Sequence, residues 1–164
     1  MRPVELARDE TPGIEPVLHA LQSLERGGYQ PEWLMLLQPT SPLRTSVDIH
    51  EAIEVSTRAG VDSVISVCEA FPPAWLKKIR EDGGLEDYFA GIEVPPVRQA
   101  LAPAHALNGA IYLTRRDILL QRRSFYGERP MAYLMPKERS VDVDTPWDLK
   151  VSEILLRCRD SSEQ

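Results

Sequence analysis

Cysteine is scarce. Cys68 and Cys158 are the only two in 164 residues, too few for a disulfide framework or a four-ligand zinc site, and they read as ordinary reduced thiols. No apolar run approaches the roughly 18 residues that would span a bilayer. Met1-Arg2-Pro3-Val4-Glu5-Leu6 leads into an acidic stretch without the apolar core of a signal peptide, so a soluble, cytoplasmic protein is expected. A Gly-rich phosphate cradle is missing as well. Positive charge is in deficit: 19 basic residues stand against 25 acidic ones, a net charge of −6. That sign is wrong for a protein that grips nucleic acid through its phosphates. An anionic substrate would have to be met by a few placed cations or by a metal.

What is present is ordinary for a globular protein, with 43% apolar and 27% charged residues. A single domain over residues 1–164 is expected, large enough to fold on one hydrophobic core. Thr11-Pro12-Gly13-Ile14 reads as a helix start, with Thr11 as N-cap and Pro12 in the first turn. Ile14, Val17, Leu18 and Leu21 give the helical period, and Gly27-Gly28 the stop. Trp33-Leu34-Met35-Leu36-Leu37 is apolar at every position and reads as a buried strand of a parallel sheet. Thr45 and Asp48 form a capping box for a second helix closed by Gly60. Ser63-Val64-Ile65-Ser66-Val67 is the next strand, so residues 33–67 make a strand–helix–strand unit of a doubly wound sheet.

Residues 69–104 hold five of the 14 prolines and the turn Asp82-Gly83-Gly84, and read as an excursion of hairpin-like arms. A strand at Gly109-Ala110-Ile111-Tyr112-Leu113, a short helix over 116–121 and a strand at Tyr133-Leu134-Met135 follow. The last helix starts at Thr145-Pro146, with Trp147, Val151, Ile154 and Leu155 facing inward.

Ligands of open α/β sheets bind beyond the carboxyl ends of the strands. That puts the proline-stiffened loop Gln38-Pro39-Thr40-Ser41-Pro42-Leu43-Arg44 where a substrate would lie, and makes Gln38, Thr40, Ser41 and Arg44 candidates, although the loop can equally be a plain connection. In Ser140-Val141-Asp142-Val143-Asp144-Thr145 two carboxylates alternate with apolar residues. In extended chain they would converge on one point, an oxygen-rich site suited to Mg²⁺. The other reading makes Asp144 a helix-start residue and Asp142 a solvated one. Asn108-Gly109 can be a turn, and Phe125-Tyr126 loop aromatics over a core edge. His19, His50 and His105 have no partners at ligand spacing.

Taken together, Arg2-Pro3-Val4-Glu5-Leu6-Ala7, Leu36-Leu37 with the 38–44 loop, Asn108-Gly109-Ala110-Ile111-Tyr112 and Ser140-Val141-Asp142-Val143-Asp144-Thr145 resemble the acylneuraminate cytidylyltransferases, in that family's order. The resemblance implies a Rossmann-like, doubly wound, mostly parallel sheet and an Mg²⁺-dependent enzyme. It also implies a homodimer or higher homo-oligomer, and a reaction joining a nonulosonic acid to CTP with release of pyrophosphate. By resemblance, Asp142 and Asp144 match the metal-binding pair and Gln38 a sugar-contacting glutamine. Arg2 matches a nucleotide-side arginine, Asn108 lies in the family's Asn-Gly motif, Phe125 and Tyr126 match the aromatic pair beside the sugar, and Lys77 a substrate-side lysine on an arm crossing the dimer.

Two departures accompany the resemblance. The family's opening strand and Gly-Ser-Lys triphosphate loop have no counterpart in these 164 residues, and Ala106 stands where an arginine is common. The expectation is therefore weak or no turnover by this polypeptide alone, and association through the apolar edge at Trp33-Leu34-Met35-Leu36-Leu37. The competing readings are a non-catalytic binding or partner subunit derived from the family and, more distantly, a metal-dependent glycosyltransferase.

Overall fold

The computed structural model describes residues 3–58, 60–91, 97, 99 and 101–162. Along them run α1 (Ile14–Arg26), β1 (Trp33–Leu36), α2 (Ser46–Ser56), β2 (Ser63–Ala70), β3 (Lys77–Ile79), β4 (Leu85–Asp87), β5 (Ala104–Arg115), α3 (Arg116–Arg122), β6 (Pro130–Leu134) and α4 (Pro146–Ser162). Four strands form the central sheet in the order β1–β5–β2–β6. β5 is antiparallel to both β1 and β2, whereas β2 is parallel to β6. β1, β2 and β6 therefore point one way and β5 is reversed between the first two.

The expected strand–helix–strand unit is present, but its two strands are separated by β5. The expectation of a fully buried parallel strand at β1 is corrected. Among the described residues β1 pairs with β5 alone, and each of its residues is half-buried. Its uninterrupted apolar sequence has another cause, which is that helices cover both faces of the sheet. Leu34 and Leu36 pack with Leu18 and Leu21 of α1, Ile65 of β2 and Leu119 of α3. Trp33 and Met35 face the other way, toward Ala52 and Val55 of α2, Ile111 and Leu113 of β5 and Tyr133 of β6. Alternate strand side chains point to opposite faces, so a two-sided core asks for an apolar residue at every position.

Thr11 is not the cap of α1. Its hydroxyl donates to the Glu5 carbonyl, and the helix begins after Gly13 with no side-chain cap. Pro12 and Gly13 instead form the turn into the helix, closed by the Glu15 N–H on the Pro12 carbonyl at 2.9 Å. The stop is as expected, with Gly27 as C-cap and Gly28 at φ +84°. Asn108 and Gly109 belong to β5, which starts at Ala104.

In α4 the apolar phase is rotated from expectation. Trp147 and Ile154 are exposed, while Ser152 is buried and flanked by the half-buried Val151 and Leu155. The buried face of α4 thus includes a small polar residue, which an apolar count overlooks. Among its described residues the excursion at 69–104 contains one hairpin, β3 paired with β4 around a turn with Gly83 at φ +83°.

One buried charge ties these parts together. Asp48 has no solvent exposure. Its carboxylate caps α2 through the Thr45 N–H at 2.7 Å and accepts two guanidinium nitrogens of Arg139, Nη2 at 2.7 Å and Nε at 3.1 Å. The Tyr133 hydroxyl has one proton to share between Asp48 and Glu51, each 2.8 Å away. Burial pushes the Asp48 carboxyl up, but the bonds from Arg139, Thr45 and Tyr133 outweigh it and hold it down at about 2. For Tyr133, burial and the two carboxylates push the phenol up.

Because the folded value lies below the unfolded one, Asp48 contributes stability above about pH 4, of order 2 kcal/mol, and loses it as the pH falls toward 2. Urea unfolding across that range is expected to show this loss. Asp48→Ala should remove the acid dependence and destabilise the protein by about 3 kcal/mol at neutral pH, because it strands the Arg139 guanidinium.

Candidate functional site

The loop at residues 38–44 leaves the carboxyl end of β1, and its conformation is set from within. Arg44 Nη1 donates to the Gln38 carbonyl at 3.2 Å and to the Ala110 carbonyl at 2.7 Å. The buried Ser41 hydroxyl donates to the Asn108 carbonyl at 3.5 Å. Arg44 and Ser41 thus act as struts that fasten the loop to β5. The Thr40 carbonyl accepts the Val143 N–H at 2.8 Å, which brings the segment containing Asp142 and Asp144 against the same loop.

Opposite the loop, β5 bulges. The register passes from Ile65 opposite Tyr112 to Val67 opposite Leu107, so residues 108–111 face Ser66 alone. A bulge frees main-chain groups that must then find partners. The Ser66 hydroxyl accepts the Ile111 N–H at 2.7 Å and donates to Asn108 Oδ1 at 2.6 Å. Asn108 Oδ1 also accepts the Ala110 N–H, and Asn108 Nδ2 donates to the Ser140 hydroxyl. Asn108 is accordingly a buried clamp, 4% exposed, between the bulge and the aspartate segment.

Within the bulge Gly109 adopts φ +72°. A Cβ there would lie 2.7 Å from Gln38 Oε1 and 3.1 Å from Asp142 Oδ2. Two side chains from distant parts of the sequence therefore converge over this one glycine. Asp142 Oδ1 is buried and has no hydrogen-bond partner. A buried carboxylate oxygen without a partner is costly unless a cation or proton donor meets it. Asp144 is exposed, and its N–H donates to Asp148 at the start of α4.

Beside Gln38 opens a cleft of about 290 Å³, lined by Gly13 and Ile14 at the start of α1, Leu36, Tyr112 and the loop from Arg123 to Tyr126. The Tyr112 and Phe125 rings meet at 5.6 Å, and Phe125 is 9% exposed, so it serves the core as well as the cleft. Burial, with Tyr126 and Asp142 nearby, pushes the Tyr112 phenol up. The aromatic loop is held from below by Asp62, whose carboxylate accepts the Glu128 N–H at 2.6 Å and the Arg129 N–H at 3.1 Å. Burial pushes the Asp62 carboxyl up, and these bonds more than offset it, leaving it below the usual carboxylate range. Gly127 leaves room for that carboxylate, since a Cβ would sit 2.0 Å from Asp62 Oδ1.

Of the residues expected from sequence, Gln38, Phe125 and Tyr126 line one cleft and Asp142 adjoins it. Thr40, Ser41, Arg44 and Asn108 form the framework beneath. Lys77 is elsewhere, on the β3–β4 hairpin in an ion pair with Asp87. Arg2 lies outside the described residues. Tyr112, Arg123, Asp62 and Ser66 escaped sequence reasoning. The signal that could have found Ser66 is its place as a polar residue between Ile65 and Val67 in the apolar middle of β2.

Oxygen donors of this type suit Mg²⁺, which is held by one or two carboxylates together with substrate phosphates and water. The orphaned Asp142 Oδ1 and the neighbouring Gln38 Oε1 fit that preference. Among the described residues no group of three or more His, Cys, Asp or Glu side chains could hold a metal without such help. No helix among them is long and apolar enough to cross a membrane.

A sheet with one reversed strand, helices on both faces and a cleft at its carboxyl rim defines a mixed α/β domain. The same fold is seen in the structure of CMP:2-keto-3-deoxy-manno-octonic acid synthetase complexed with CTP, at TM-score 0.61 and 13% identity over 92% of this chain and 70% of that one. By sequence the chain is 35% identical over 145 residues to an N-acylneuraminate cytidylyltransferase of Streptococcus agalactiae, covering 88% of this chain and 34% of the relative. It is 31% identical over 160 residues to a CMP-N,N'-diacetyllegionaminic acid synthase of Legionella pneumophila, covering 95% and 67%. The chain belongs to the N-acylneuraminate cytidylyltransferase family. It spans about a third of the length of the streptococcal relative. No family model matches it.

Gly109→Ala is expected to cost about 1–2 kcal/mol in urea unfolding from the left-handed backbone alone, and to displace Gln38 and Asp142. Asp62→Ala should release the aromatic loop, visible as faster amide exchange at Glu128 and Arg129.

Proposed function

We propose that this cleft is the acceptor side of a CMP-transfer site, where a nonulosonic acid such as N-acetylneuraminate receives CMP from CTP and pyrophosphate is released. The observation that carries the reading is the partnerless Oδ1 of Asp142, a side chain that meets Gln38 over Gly109, together with the aromatic-walled cleft that Gln38 lines. The named activities of the curated relatives support it. Gln38 would orient the sugar, and Leu36, Tyr112 and Phe125 would exclude water from one face of the pyranose. Asp142 and Asp144 would hold Mg²⁺. When bound, that ion neutralises charge on the transferring phosphate, which such a reaction needs more than covalent help from the protein. Thr40, Ser41, Arg44 and Asn108 keep the loop and bulge in place, and Arg2 would serve the nucleotide side.

The hairpin fits the same reading through assembly. Ile79 and Leu85 are paired across it and are 78% and 68% exposed. We take this apolar surface as the contact of a homodimer or higher homo-oligomer, in which Lys77 of one copy serves the site of its neighbour. Light scattering at micromolar concentration should then report at least twice the 18.5 kDa chain mass, and an 18.5 kDa species would overturn the assembly.

The site itself is tested by saturation-transfer NMR with N-acetylneuraminate, with and without Mg²⁺. Binding is expected to tighten with Mg²⁺ in the wild type and to lose that response in Asp142→Asn, which keeps the side-chain shape. Binding indifferent to both the ion and residue 142 would sink the proposal.

A further inference from the structure

Ser66 is 1% exposed and lies in β2 opposite the bulge of β5. By accepting the Ile111 N–H, its oxygen satisfies a main-chain group that the bulge sets free. Its one proton has two acceptors within reach, the Ile111 carbonyl at 3.2 Å and Asn108 Oδ1 at 2.6 Å, and the shorter bond takes it. Asn108 Oδ1 also accepts the Ala110 N–H at 3.2 Å. A main-chain N–H can only donate, so this bond turns the carboxamide oxygen toward the bulge and the nitrogen toward Ser140, whose hydroxyl it meets at 2.9 Å. The Ser140 proton then goes to the Pro136 carbonyl at 2.8 Å. Each hydroxyl proton has one place, and the relay from Ser66 through Asn108 to Ser140 has one arrangement.

Closing the bulge does not require the last link. The oxygens of Ser66 and Asn108 already satisfy the Ile111 and Ala110 N–H groups, yet the Asn108 amino group reaches 32 positions along the chain, to the residue two before Asp142. That segment belongs to no strand, and Asp142 stands between the Ser140 tie and the bond from the Val143 N–H to the Thr40 carbonyl. Its Oδ1, buried and without a partner among the described residues, is presented from a backbone fastened on both sides. A carboxylate fixed beforehand loses less freedom on taking a cation, so the groups that fix its position govern its affinity. We propose that Ser66 and Asn108 are positioning residues for Asp142: though not ligands themselves, they act through Ser140 and set how tightly Asp142 takes a divalent cation. The inference rests on the reading of Asp142 as a cation ligand.

The test is Mn²⁺ binding to the full chain, read by water-proton relaxation, beside urea unfolding of the same variants. The wild type should bind the ion and Asp142→Asn should lose it. Ser140→Ala leaves the Ile111 and Ala110 bonds of the bulge in place and should weaken Mn²⁺ about tenfold, the scale of losing an outer partner of a metal ligand. Ser140→Thr keeps the hydroxyl and should restore the affinity. Ser66→Ala should weaken Mn²⁺ to the same degree, and Ser66→Ala combined with Ser140→Ala should be no weaker than either alone, because both cut one relay. Where Ser66→Ala does not fold, Ser66→Cys takes its place; it keeps a weaker donor there, and its affinity should fall between those of the wild type and Ser140→Ala. Variants that bind Mn²⁺ as the wild type does, whatever they lose in urea, overturn the inference and leave the site standing. Additive losses, or no restoration by Ser140→Thr, do the same. If the wild type binds no Mn²⁺, or Asp142→Asn binds it equally well, the reading of the site falls and the inference with it.

Discussion

Asp48, itself without solvent contact, accepts hydrogen bonds from the start of α2, from the Tyr133 hydroxyl on β6 and from Arg139. The start of α2 is also the end of the 38–44 loop, and Arg139 stands three residues before Asp142. A single carboxylate thus fixes the distance between the two segments that make the site. Removing a partner from such a cluster leaves a charge buried and unpaired, so the arrangement is all-or-none in a way that a surface ion pair is not. The surface pairs, such as Arg157 with Glu153, can be lost one by one at small cost.

From the end of a 3-10 turn at Lys137–Arg139, the chain runs to Val143 without regular secondary structure, yet it is tied to three different elements. Arg139 meets Asp48 of α2, the Ser140 hydroxyl meets Asn108 in the bulge, and the Val143 N–H meets Thr40 in the loop. Asp142 sits between the second and third tie, so its backbone is placed to the accuracy of the sheet. A catalytic or binding group held this way loses little freedom on meeting its ligand. The bulge in β5 supplies the other half of the geometry, since it provides a backbone position with no side chain over which Gln38 and Asp142 can approach each other.

Much of the fold was legible in the sequence where local chemistry is decisive. The Thr45–Asp48 capping box, the Gly27-Gly28 stop and the strand at residues 63–67 depend on neighbours a few positions away. The 38–44 loop and Asp142 were legible as motifs, and their convergence follows the expected carboxyl-rim placement. What was not legible depends on partners far along the chain. That β5 lies between β1 and β2 is a choice of sheet order, invisible in the strand–helix–strand pattern. The true start of β5 was hidden because its bulge interrupts the alternation. Ser152 carried no apolar signal, so α4 was placed out of phase. Arg123 carried no signal, and its ion pair with Glu15 joins residues more than 100 positions apart.

The reversed strand also governs the order in which the molecule can assemble. Among the described residues β1 pairs only with β5, with Trp33 opposite Arg115 and Leu36 opposite Tyr112, so its partner is roughly 80 residues away. Closing so long a loop must precede any gain from the pairing. A ribosome making this chain would release β1, α2 and β2 before the strand that joins them exists. Until β5 emerges, α2 can pack against Val64 of β2, but β1 has no strand to pair with and its main-chain edge stays open.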